Sequence, residues 1–160
     1  MAISSQMQAR LDRIDALISS GYTLERKWGY YPDLKKSSGE SVNIFGGLFS
    51  LSGPAGFSWI AFFFPWAVCA QIKEWSFFYF VAVFSFFSTA LSIWLGTNTN
   101  VASFLTCFFY ASMYPYLRYL AAMGNVKEYS KAASIVIGML LWILAIVPSL
   151  ILAFISAAYF

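Results

Sequence analysis

The chain has 160 residues, 60% of them hydrophobic and only 11% charged, with a formal net charge of +3. A soluble domain carries about a quarter charged residues, and a core of this length has no room for 21% aromatic residues, 17 of them Phe. The composition therefore excludes an ordinary soluble fold and points to an integral membrane protein whose first partner is the lipid bilayer. The small net charge shows no basic face of the kind that grips a phosphate backbone, so no nucleic-acid partner is expected.

Residues 1–43 form a polar N-terminal region holding most of the charge. Ser4-Ser5 can cap a helix, and Met7, Leu11, Ile14, Leu17 and Ile18 recur at spacings of three and four, one face of an amphipathic helix. Gly21 is its expected stop. That face is suited either to a partner or second copy, or to the membrane surface or the protein's own body. Thr23–Trp28 reads as the start of a second short helix, broken at Tyr30-Tyr31-Pro32. Residues 33–43 read as a polar linker. The N-terminus lacks an apolar h-region, so no cleavable signal peptide is expected.

Residues 44–160 are read as the membrane domain. Residues 44–56, rich in Gly, Ser and Pro, suit an irregular interfacial segment. Residues 56–74 are apolar for about fifteen residues, short for a span, and carry Pro65 midway. Three long apolar segments follow at 75–96, 101–122 and 134–160. Each has the ~20 residues that cross about 30 Å of hydrocarbon. Trp75 and Trp94 mark the ends of the first, where an aromatic belt would place them. Thr97–Asn100 is a polar turn. Pro115 and Pro148 interrupt the second and third.

Charge settles the expected topology. Arg10, Arg13, Arg26, Lys27, Lys35, Lys36, Lys73, Arg118, Lys127 and Lys131 all fall on one side if residues 56–74 enter and return. A full crossing would split them. The positive-inside tendency favours the first arrangement. The expected fold is thus an all-α integral membrane protein. An N-terminal amphipathic helix precedes a short re-entrant or interfacial helix and three transmembrane helices, with the N-terminus cytoplasmic.

Gly56-Phe57-Ser58-Trp59-Ile60-Ala61-Phe62, with Trp66 and Trp75, and later Tyr116-Leu117-Arg118-Tyr119, resembles a family of small bacterial inner-membrane proteins of unknown function. That family carries a Gly-Phe-(Ser/Asn)-Trp-x-Ala-Phe element and a Tyr-x-x-Arg element after a span. The resemblance covers about residues 56–131 and implies a bacterial inner-membrane location. It implies no activity.

The chain has no His, which removes Ser–His and Cys–His catalysis and the commonest metal ligand. No Cys-x-x-Cys occurs, and no carboxylate pair has an acid/base spacing. No catalytic, cofactor or metal site is expected, and Cys69 and Cys107 read as small buried hydrophobes. Small residues recur at Ala82, Ser85, Thr89 and Ser92 and at Ala145, Ser149, Ala153 and Ala157, ridges that let helices approach closely. Phe77, Phe80, Phe84 and Phe87 share a side that faces lipid or a larger complex. Arg118 reads as a snorkelling interface anchor or an ion-pathway charge. The candidate interface or functional residues are Trp59, Phe62, Pro65, Trp66, Lys73, Glu74, Arg118 and Tyr119. The expected function is a non-catalytic scaffold or accessory subunit of a larger membrane complex, partnered by another membrane protein or by its own copies. The alternative is a small oligomeric transporter or channel.

Overall fold

The computed structural model describes residues 4–45, 53–96 and 101–159. Residues 46–52 of the expected irregular segment 44–56, and the turn at 97–100, lie outside the described residues. The order of elements is α1 (Ser5–Ser19), β1 (Thr23–Lys27), β2 (Tyr31–Lys35), β3 (Ser41–Val42), α2 (Trp59–Phe63), α3 (Pro65–Gln71), α4 (Ser76–Leu95), α5 (Val101–Met123) and α6 (Lys131–Tyr159).

α1 forms as its sequence demands. The Ser4 hydroxyl accepts from the Met7 N–H at 3.3 Å, and Gly21 at φ +97° ends the helix. Met7, Leu11 and Ile14 are buried and pack mainly against α5. The apolar face is therefore covered by the protein's own body. Two polar tethers reinforce it: Arg10 Nη2 donates to the Phe57 carbonyl at 2.6 Å, and the Tyr119 hydroxyl donates to Asp15 at 2.6 Å.

The all-α expectation needs correcting. Residues 23–42 form a three-stranded antiparallel sheet in the order β1-β2-β3, with Thr23 opposite Lys35 and Lys27 opposite Tyr31. The stretch expected to start a helix is β1, and the expected linker holds part of β2 and all of β3. A tight turn decides it. Tyr30 N–H donates to the Lys27 carbonyl at 3.3 Å, with Trp28 at φ +53° and Gly29 at φ +79°. Two consecutive positive φ values are the signature of a hairpin turn. Pro32 is tolerated in β2 because β3 pairs only with Leu34 and Lys35, leaving the edge at Pro32 without a strand.

Among the described residues, two helices rather than three are long and apolar enough to cross a membrane: α4 and α6. α5 has the length, but its second half carries Tyr110, Tyr114, Pro115, Tyr116, Arg118 and Tyr119, all buried within the protein. α5 and α6 both run unbroken through their prolines. The small-residue ridge of α4 meets the first half of that of α6, where Ala145 and Ser149 are buried; Ala153 and Ala157 are exposed. Ser149 donates to Ser85 Oγ at 2.9 Å, while Ser85 itself donates to the Val81 carbonyl at 2.6 Å. The outer faces of both helices, including Phe87, Trp94, Leu144 and Phe154, are exposed. The expected Phe side divides: Phe77 is buried, Phe80 is half-buried and stacked on Phe84, and Phe84 and Phe87 are exposed.

The stretch between sheet and α4 is a broken helix. Ala55 N–H donates to the Tyr116 hydroxyl, Ser58 N–H to the Ala111 carbonyl, and the Phe62 ring meets Phe104 at 5.6 Å. Contacts thus move toward the N-terminus of α5 along α2. Pro65, buried, opens α3 at a position where its missing N–H costs nothing. α3 then lies on α6, with the Trp66 backbone against Gly138. Its last residue, Gln71, reaches Tyr129, just ahead of α6. The chain reverses direction at Phe64-Pro65.

Candidate functional site

The polar groups gather where α3 ends, α4 begins and α5 gives way to α6. Lys73 adopts φ +57°, a left-handed turn that lets Glu74 N–H donate back to the Cys69 carbonyl at 2.8 Å. Lys73 Nζ lies 4.9 Å from the Tyr129 ring. Glu74 is only 3% exposed. Its carboxylate takes an ion pair from Arg26 of β1 at 2.9 Å and a hydrogen bond from Ser76 Oγ. The Ser76 hydroxyl proton is committed to Glu74, so its oxygen accepts from the Tyr110 hydroxyl at 2.7 Å.

A second cluster stands beside the first. Arg118 is 8% exposed, so it does not snorkel. Its Nη1 donates to the Tyr114 hydroxyl at 2.8 Å, and its Nη2 donates to both oxygens of Glu128 at 3.1 and 3.0 Å. Gln71 Nε2 donates to the same carboxylate at 3.1 Å. Arg118 Nε is buried without a hydrogen-bond partner among the described residues. Buried Glu74 and half-buried Glu128 are thus each matched by one arginine, which offsets the desolvation that an isolated charge would incur. Together the two clusters tie β1, α3, α4, α5 and the 124–130 connection into one joint.

The remaining candidates lie elsewhere. Trp59 is exposed and stacks near Phe63. Phe62 sits among Phe57, Phe63 and Phe104. Trp66 is half-buried on α3, and Tyr119 faces α1. Lys73, Glu74 and Arg118 are brought to one end of the bundle; Trp59 and Phe62 are not. Arg26, Gln71, Glu128, Tyr110 and Tyr114 were missed as site residues. The spacing of four between Tyr110, Tyr114 and Arg118 was the available signal, since it sets all three on one face of α5.

Two further polar groups are buried without a hydrogen-bond partner among the described residues: Asp33 Oδ2 on β2 and Ser58 Oγ just before α2. Beside Asp33, burial raises the Tyr31 hydroxyl above its ordinary pKa, and the Asp33 carboxylate adds to the shift. Cys69 is buried and free, and Cys107 is half-buried and free. Among the described residues no group of His, Cys, Asp and Glu is arranged to hold a metal ion. Comparison with protein families, with curated proteins and with solved structures found no match to this chain.

Proposed function

We propose that the chain is a small integral membrane protein acting as a scaffold or accessory subunit, with residues 56–74 entering the bilayer and returning. The beginnings of α4 and α6 touch, the Trp75 ring lying 6.4 Å from Tyr129. If both helices cross, α5 carries the chain back between them, its polar second half shielded by the surrounding helices. The N-terminal helix and sheet then lie on the side of Lys73, Lys127 and Lys131. By the positive-inside tendency that side is cytoplasmic, and the family resemblance adds a bacterial inner membrane.

The observation that carries the scaffold reading is the use made of the charges. Intramembrane ionisable groups usually mark an ion or proton route. Here Arg118 and Glu74 are spent on internal pairs, while the long outer face of α6 is left uncovered for lipid or a partner helix. A photo-reactive amino acid at Leu144 or Phe154 tests it in the native membrane. Cross-linking to one protein species, another chain or a second copy, supports the proposal. Labelling of lipid alone refutes it. Ion flux in liposomes that disappears with Arg118→Ala would instead establish the channel alternative.

A further inference from the structure

Between the β1–β2 hairpin and the neighbouring helices α4 and α5 lies a cavity of about 180 Å³. Tyr30 and Tyr31 of the hairpin, Phe80 and Phe84 of α4, and Phe109 and Met113 of α5 line it, and its walls are almost wholly apolar. Of its lining, Phe84 and Phe109 are 47% and 44% exposed on the outer surface of the bundle. Tyr30 and Phe80 also border a broader surface groove formed by Trp28, Trp75 and Tyr79. The two spaces therefore adjoin along α4, with the Tyr30 and Phe80 rings, 4.6 Å apart, standing between them.

The mouth of this groove has two unusual residues. Trp28 is 71% exposed yet holds φ +53°, where a bulky side chain is strained and Asn or Gly is favoured. Backbone strain of this kind clusters at functional positions. Lys27 beside it lies 4.9 Å from the Trp28 ring and forms no ion pair among the described residues, whereas Arg26 is neutralised by Glu74.

We infer that this groove holds one anionic phospholipid, an acyl chain in the aromatic cavity and the headgroup at Lys27 and Trp28. The inference rests on α4 crossing the membrane. The cavity is of the size that takes one benzene-sized apolar group, about 150 Å³, so it accepts a length of chain and excludes a headgroup or a partner helix. A cavity with such walls stays dry, and left unfilled its rings lose contact on one side. The tryptophans and Tyr79 sit at the level where amphipathic rings meet headgroups. An unpaired lysine at that level selects negative charge.

The test uses the full chain in bilayer nanodiscs of equal phosphatidylcholine and phosphatidylglycerol, followed by gentle extraction and native mass spectrometry. One phosphatidylglycerol per chain is expected to survive washing that strips other lipids. Lys27→Gln, an exposed substitution, should lower that retention about fivefold, the effect of one lysine's attraction to anionic lipid. Trp28→Asn should lower retention without lowering the thermal midpoint, because Asn relieves the turn. Equal retention of phosphatidylcholine, unchanged retention in Lys27→Gln, or loss in Trp28→Asn only alongside a lowered midpoint overturns the site. Sedimentation of the wild-type chain with membrane vesicles separates the failures. If the chain sediments but keeps no lipid, only the site falls; if it does not sediment, the membrane reading and the site fall together.

Discussion

Gly138 is where α6 meets α3 most closely, and replacing it by Ala tests whether the broken helix is held by that contact. A Cβ built at Gly138 would stand 2.3 Å from the Trp66 carbonyl oxygen, 2.8 Å from its carbon and 3.2 Å from Ala70 Cβ. The nearest atoms are backbone, so no rotamer change relieves the clash, and α3 and α6 must part by about 1 Å to restore van der Waals separation. Overpacking of this kind costs about 3 kcal/mol at the upper end of its range. Helix propensity opposes it, since Ala is favoured over Gly by about 1 kcal/mol in a helix interior. The net effect is a loss of about 2 kcal/mol, or a fall of roughly 4–8 °C in thermal midpoint for a chain of this size. Thermal unfolding in detergent, followed by circular dichroism, measures it. Adding Ala70→Gly should restore little, because the main clash is with the Trp66 backbone. A midpoint for Gly138→Ala equal to or above the wild type would refute the close packing of α3 on α6.

Three other substitutions examine the joint and the entry to α2. Arg26→Ala leaves Glu74 buried without its cation; the arginine's own 37% side-chain exposure moderates the effect to about 2 kcal/mol, readable as a lower unfolding midpoint that Glu74→Gln in the same chain partly restores. Tyr116→Phe removes the acceptor of the buried Ala55 N–H, bonded at 2.9 Å, and should cost about 2 kcal/mol, seen as faster hydrogen exchange at that amide. Ser58→Ala should be neutral or slightly stabilising, since the hydroxyl is buried with no partner among the described residues; a midpoint lowered by more than about 1 kcal/mol equivalent would reveal a hydrogen bond at that hydroxyl.

The long helices were legible because their apolar runs outlast any soluble strand or loop, and α4, α5 and α6 begin and end within three residues of the expected bounds. α1 was legible from its spacing and its Ser4 cap. The sheet was not. β1 reads Thr-Leu-Glu-Arg-Lys with no alternation, and it is nearly all exposed, so no hydrophobic pattern marks it. Its pairing depends on a turn at Trp28-Gly29, where the residue that takes the first left-handed position is one that seldom does so. The inward turn of Arg118 was hidden for another reason: its partner Glu128 lies beyond the end of α5, and Gln71 comes from a different helix. Pro65 was read correctly as a break. Only the contacts on α5 and α6 reveal that the chain reverses there.

Side-specific labelling of single cysteines tests the re-entrant path most directly. In a chain with Cys69→Ala and Cys107→Ser, cysteines placed one at a time at Gln8, Lys73 and Asn98 are exposed to a membrane-impermeant maleimide from each face of oriented vesicles. Gln8 and Lys73 should label from the same side and Asn98 from the other. Labelling of Lys73 from the side opposite Gln8 would make residues 56–74 a full crossing and contradict the account.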